Sequence, residues 1–161
     1  MIETTIKWPL RNGSQLQTWI SPSSKVLILG DAAHAMVPYM SQGAAMAIED
    51  GAALATILNL VESRASIPFA LKVFEKERIR RTSQMQEASL TNGVIWHFPD
   101  GKQQEARDEA LRPEVEGRHF LSSPNQWSDP VTQCWAYGYD AEAEAKRVWD
   151  AAVSELISKA G

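Results

Sequence analysis

The sequence predicts a mainly helical α/β fold, with two or three strands set against at least four helices. Three observations lead there. Val26-Leu27-Ile28-Leu29 is a continuous apolar run ending in Gly30-Asp31, the pattern of a strand buried on both faces of a parallel sheet. Two long stretches, Ala44 to Val61 and Pro68 to Leu90, repeat apolar residues at helical spacing. A third stretch, Ala141 to Lys159, is amphipathic, with Ala145, Val148, Trp149, Ala152, Val153 and Leu156 on one side. At 161 residues the chain has room for one modest core.

Taken in order, Ile2 to Trp8 reads as a strand, since Ile2, Thr4, Ile6 and Trp8 share one face by period two and Pro9 stops the run. Arg11-Asn12-Gly13-Ser14 is a turn signal, and Leu16, Trp19 and Ile20 form a short helical or irregular patch. In the first long helix Met46, Ile48, Ala52, Ala55 and Leu58 fall near one face. Its small residues, Ala44, Ala45, Ala47, Gly51, Ala52 and Ala53, permit close approach of backbone or ligand. Pro68 suits the first turn of the second helix, which buries Leu71, Phe74, Met85 and Ala88 and stops at Asn92-Gly93. From Trp96 to Trp127 the pattern is irregular, with a turn at Asp100-Gly101 and a short helix over Gln103 to Leu111. Thr132 to Tyr139 is aromatic-rich and packs back on the body.

Composition excludes several classes of function. A net charge of −4 argues against a nucleic-acid partner, which calls for a basic stripe. Arg78, Arg80 and Arg81 make the one basic cluster, and among Glu75, Glu77 and Glu87 they read as a solvated mixed-charge helix face. Cys134 is the single cysteine, so no internal disulfide and no cysteine metal site is expected, and His34, His97 and His119 lack ligand-like spacing. A reducing, cytoplasmic setting is expected. Met1 to Thr5 lacks the charged and apolar regions of a signal peptide, and no apolar run approaches membrane-spanning length.

The chemistry concentrates after Leu29. Gly30 lets the chain turn sharply at the end of a strand, and Asp31 then offers two acceptor oxygens suited to ribose or ribityl hydroxyls. Pro38 stiffens the loop. Gly43 precedes a helix whose first N–H groups lack partners, an end that stabilises an anion or a reduced, negatively charged ring. Singly, Asp31 reads as a turn cap and Gly43 as a steric necessity; in this order they point to a long, polar, partly anionic ligand.

Gly30-Asp31-Ala32-Ala33-His34, Pro38, Gln42-Gly43-Ala44 and Glu49-Asp50 together resemble the second FAD-binding motif of the class A flavoprotein aromatic hydroxylases, in particular salicylate-hydroxylase-like monooxygenases. Trp8-Pro9-Leu10, Trp19, Phe74-Glu75-Lys76-Glu77-Arg78, Trp96-His97, Pro99-Asp100-Gly101, Trp135 and Tyr137-Gly138-Tyr139-Asp140 extend the resemblance over nearly the whole chain. It implies the C-terminal part of an FAD-binding Rossmann-like fold. Residues 1–20 would be the last strand of the substrate sheet and a connector, 25–92 the second half of the FAD-binding domain, and 93–161 a C-terminal helical extension.

It further implies that Asp31 binds the ribose hydroxyl of the adenosine half, with Gly30 beside it in the cofactor site, and that Pro38 lies beside the isoalloxazine ring. Gly43, Ala44 and Ala45 would direct amides at the pyrimidine edge of that ring. NAD(P)H is the reductant and an aromatic or related small metabolite the substrate in that family. Pocket walls come largely from elsewhere in such enzymes, so Trp8, Met36, Tyr39 and Met40 give only hints of the substrate.

The family's G-x-G-x-x-G turn has no counterpart, because no two glycines in this sequence lie two residues apart. A parallel strand over Val26–Leu29 would expose edges and apolar faces, so a homo-oligomeric copy or a complementary chain is expected to cover them. Two alternatives stay open. One is a short flavin-free descendant acting as an isomerase, cyclase or dehydratase, with His34, Asp31, His97 and Asp100 as acid–base candidates; across the readings His34, Pro38 and His97 are the catalytic candidates. The other is a non-catalytic fragment.

Overall fold

A computed structural model describes residues 4–160. Six α-helices lie among the described residues: α1 (Asp31–His34), α2 (Gly43–Asn59), α3 (Ile67–Trp96), α4 (Lys102–Val115), α5 (Pro130–Tyr137) and α6 (Ala141–Ala160). Single 3-10 turns occur at Pro38–Met40 and Arg64–Ser66. The expected helices are therefore all present. The irregular region after Trp96 is more ordered than its prolines suggested, since α4 runs through Pro113.

Local chemistry sets several helix ends. Pro68 sits in the first turn of α3, where its missing N–H has no intrahelical partner to lose. Asp129 caps α5, accepting from the Thr132 amide at 2.9 Å, and Asp140 accepts from the Ala143 amide at the start of α6, also at 2.9 Å. Burial alone would push the Asp129 carboxyl up; the backbone N–H bonds from Thr132 and Ser123 outweigh it and hold it below the ordinary aspartate value.

α3 is the backbone of the molecule, and α2 and α6 pack against it and against each other. Trp19, Ala33, Ala53, Ile57, Ala70, Phe74 and Ala145 form the larger core cluster. Met40, Met46, Met85 and Ala136 form a second, methionine-rich one. On α2 the buried face is Met46, Asp50, Ala53 and Ile57, so the face expected from apolar spacing is corrected: Ile48 is 73% exposed. A hydropathy pattern steers away from Asp50, and Asp50 is what the interior contains.

Two more expectations change. Val26–Leu29 forms no strand among the described residues; one antiparallel bridge joins Leu27 to Ile20, and the Ile28 amide donates to the Trp19 carbonyl at 3.1 Å. A four-residue run with a single short neighbour has nothing to extend a ladder against. Of the strand expected over Ile2–Trp8, Ile2 lies outside the described residues and Thr4 to Trp8 show no ladder. Asn92-Gly93, expected to stop α3, lies inside it. Asn92 is buried, donating to the Tyr39 carbonyl at 3.2 Å and accepting from the Gln126 amide at 2.8 Å. A Cβ on Gly93 would stand 2.7 Å from the Tyr39 ring. That glycine makes room for a side chain instead of ending a helix.

Candidate functional site

The segment after Leu29 begins with Gly30 at φ +57°, a left-handed conformation that favours glycine, and a Cβ there would press on Ala47 of α2 at 3.3 Å. The chain then makes the single turn α1, whose Ala33 and His34 amides both donate to the Gly30 carbonyl, at 2.9 and 2.8 Å. α1 has two faces. Asp31 and Ala32 are exposed, and the Asp31 carboxylate has no hydrogen-bond partner among the described residues. Ala33 and His34 are buried.

His34 meets Asp50 of α2, with Nε2 2.7 Å from Oδ2. The same oxygen accepts from the Gly30 amide at 3.1 Å, while Oδ1 accepts from Arg78 Nε at 2.8 Å. Asp50 and Arg78 are both fully buried. Burial alone would push the Asp50 carboxyl up, but the bonds from His34, Arg78 and the Gly30 amide outweigh it and hold it below the ordinary value of 3.8. Burial would likewise depress Arg78, and its pairing with Asp50 and Glu49 raises it instead.

Arg78 also donates to Glu49 at 2.8 Å and to the Met46 carbonyl at 3.2 Å. Arg81 donates to Glu49 at 3.0 Å and to the Trp135 and Ala136 carbonyls at 3.0 and 2.9 Å. Its guanidinium lies 4.3 Å from the Trp135 ring centre and 4.2 Å from that of Tyr139. Burial pushes the Tyr139 hydroxyl above its ordinary value. Arg78 and Arg81 are thus not the solvated face that their sequence neighbourhood suggested; of that cluster Arg80 alone is exposed. Glu49 and Asp50 are the two charges in an otherwise uncharged helix, which is the signal in the sequence that finds this cluster.

Pro38–Met40 turns back toward α2, with Ser41 left-handed at φ +49°. Tyr39 lies edge-on to Trp96 and to His97, with ring centres 5.6 and 5.3 Å apart. α2 then starts with no side-chain cap from Gln42, and its first intrahelical bond of this turn runs from the Met46 amide to the Gln42 carbonyl at 2.9 Å. The amides of Gly43, Ala44 and Ala45 precede it. A Cβ on Gly43 would meet only Met36 Cγ, at an ordinary 3.7 Å, so the packing of the chain does not demand glycine there. Pro38, Asp31 and Ala44 are all exposed.

The acid–base candidates are not brought together. His34 is committed to Asp50, although its Nδ1 is buried without a partner. His97 is exposed, with Nδ1 2.7 Å from the Gly93 carbonyl, and Asp100 is exposed beyond α3. Trp96 and Trp135 pack against Tyr39 and Arg81. Among the described residues no three His, Cys, Asp or Glu side chains group as metal ligands, and no helix is long and apolar enough to cross a membrane.

Comparison with known proteins bears on the same segment. A family model described as an FAD binding domain matches residues 10–89. The FAD-dependent monooxygenase OpS4 of Beauveria bassiana (strain ARSEF 2860) is 38% identical over 144 residues, covering 89% of this chain and 33% of that protein. The crystal structure of FqzB superposes with a TM-score of 0.70 at 33% identity, covering 91% of this chain and 30% of that one. A substrate complex of salicylate hydroxylase superposes with a TM-score of 0.59 at 28% identity, covering 83% and 29%. The chain therefore spans about a third of the length of the curated relatives it matches.

Proposed function

The chain belongs to the FAD-dependent monooxygenase family, as a segment of it that includes FAD-binding-domain sequence, and from that premise we propose that its exposed Gly30–Ala45 side holds part of FAD. The observation that carries this is the coexistence of an exposed, unpartnered Asp31 with an uncapped α2 start. A carboxylate accepts from a sugar diol, and the Gly43, Ala44 and Ala45 amides donate to an electron-rich ring edge. Gly43 has room for a ligand to approach the backbone, and Pro38 stands exposed between the two. The residues present fit the sugar and ring portions of FAD. None supplies a glycine-rich cradle for its pyrophosphate.

FAD, when bound, would supply the redox chemistry, the NAD(P)H-dependent hydroxylation of an aromatic or related small metabolite. This chain's own residues would accept hydrogen bonds from hydroxyls at Asp31 and steady negative charge at the α2 N-terminus, while His34 faces the interior against Asp50. The exposure of Val26, at 60%, and of Ile48, at 73%, supports a covering polypeptide, either a second copy or a complementary chain.

The test is a titration of the purified chain with FAD, followed by the visible spectrum and by gel filtration. Saturable perturbation of the flavin bands, weaker in Asp31→Ala, is the expected outcome. A flavin spectrum that stays that of free FAD throughout overturns the proposal.

A further inference from the structure

One carboxylate oxygen grips both ends of a helix too short to hold itself. α1 is four residues long, and the residue before it, Gly30, provides no side-chain cap. An isolated single turn does not persist in water, because nucleation costs more than its one or two hydrogen bonds return. Asp50 Oδ2 takes the Gly30 amide at the entry of the turn and His34 Nε2 at its exit, and Arg78 fixes the other oxygen. We propose that Asp50 is the positioning residue of the Gly30–His34 turn and sets the direction in which Asp31 presents its carboxylate. This rests on the FAD reading only for what Asp31 meets, since the clasp itself lies wholly within the chain.

The arrangement explains why an aspartate sits in the interior face of α2. Gly30 reaches its left-handed conformation with its amide pointed at α2, and an anionic acceptor there repays the turn. Arg78 keeps that acceptor ionised, and its remaining nitrogens are bound by Glu49 and the Met46 carbonyl, so its head cannot swing away. Asp31 lies between the two gripped points in sequence, is exposed, and makes no side-chain hydrogen bond or ion pair among the described residues that would orient it. Its direction therefore follows from Asp50.

Asp50→Asn tests this with little change in shape. If the amide oxygen keeps Arg78, the NH2 group faces the Gly30 N–H, donor against donor. In the flavin-free chain, hydrogen exchange of the Ala33 and His34 amides should accelerate about tenfold or more, while protection in the middle of α3 is retained. His34→Gln, which keeps a donor toward Asp50, should lie nearer the wild type than His34→Ala, which releases the exit of the turn without disturbing the Asp50–Arg78 pair.

The His34 pair keeps the assignment falsifiable if Asp50→Asn does not fold. Unchanged Ala33 and His34 exchange in the variants that fold, or a uniform loss of protection through α2 and α3, overturns the assignment. Flavin titration separates the two proposals. Asp31→Ala should weaken FAD binding and leave exchange at Ala33 and His34 unchanged, whereas Asp50→Asn should alter both. A wild-type chain that binds no FAD defeats the cofactor reading, and the exchange data still decide the role of Asp50.

Discussion

The two faces of α1 differ in what their polar groups do. On the inner face His34, Asp50, Arg78, Glu49 and Arg81 form a buried chain in which nearly every donor has an acceptor, tying α1 to α2, α3 and the α5–α6 segment. On the outer face Asp31, Pro38 and Ala44 are exposed, Asp31 has no ion pair among the described residues, and the first amides of α2 have no side-chain cap. Residues adjacent in one motif are thus divided between those tied into the fold and those left open to solvent. The unspent polar groups beside this saturated cluster are where we propose that FAD binds.

The comparison breaks most visibly on the inner face. Arg78→Met strands the Asp50 carboxylate in the interior, and chemical denaturation should report a loss of about 3–5 kcal/mol. The same cluster gives stability a pH dependence. The folded Asp50 carboxyl lies below its ordinary value, so its contribution is fully present above about pH 4 and lost as pH falls through the folded value. Acid unfolding followed by circular dichroism should show this limb, and Asp50→Asn should flatten it.

Next in size is Gly93→Ala, which places a methyl 2.7 Å from the Tyr39 ring, itself wedged by Trp96 and His97. Displacing the ring should cost roughly 1–3 kcal/mol and outweigh the gain in helix propensity. Gly51→Ala is the matched control in α2: a Cβ there meets nothing within 4 Å, so thermal unfolding should show a gain of about 0.5–1 kcal/mol. Smallest is Asp31→Ala on the outer face, expected within about 0.5 kcal/mol of the wild type in the same measurement.

Helices were legible where apolar spacing and stop signals are local. Pro68 at the start of α3 and the amphipathic run of α6 needed no tertiary information. Strands were not, because a ladder depends on partners; Val26–Leu29 has the composition of a strand and meets only the segment around Ile20. Asn92-Gly93 misled for a related reason, since the residues that use them, Tyr39 and Gln126, are far away in sequence. On the site, the outward residues Asp31, Pro38 and Gly43 stood out because a turn, a proline and a glycine in order carry their own geometry. Asp50 enters that motif without a role of its own, and Arg78 and Arg81 read as solvated because charge scored by sequence neighbourhood assigns charged residues to the solvent.

The division between the two faces is tested most directly by measuring FAD affinity and unfolding stability together for Asp31→Ala. A carboxylate hydrogen-bonded to ligand hydroxyls contributes about 1.5–3 kcal/mol, so the variant should bind FAD roughly ten- to a hundredfold more weakly than the wild type while unfolding at the same denaturant concentration. Unchanged flavin affinity, or a loss of stability comparable with that of Arg78→Met, would contradict the account.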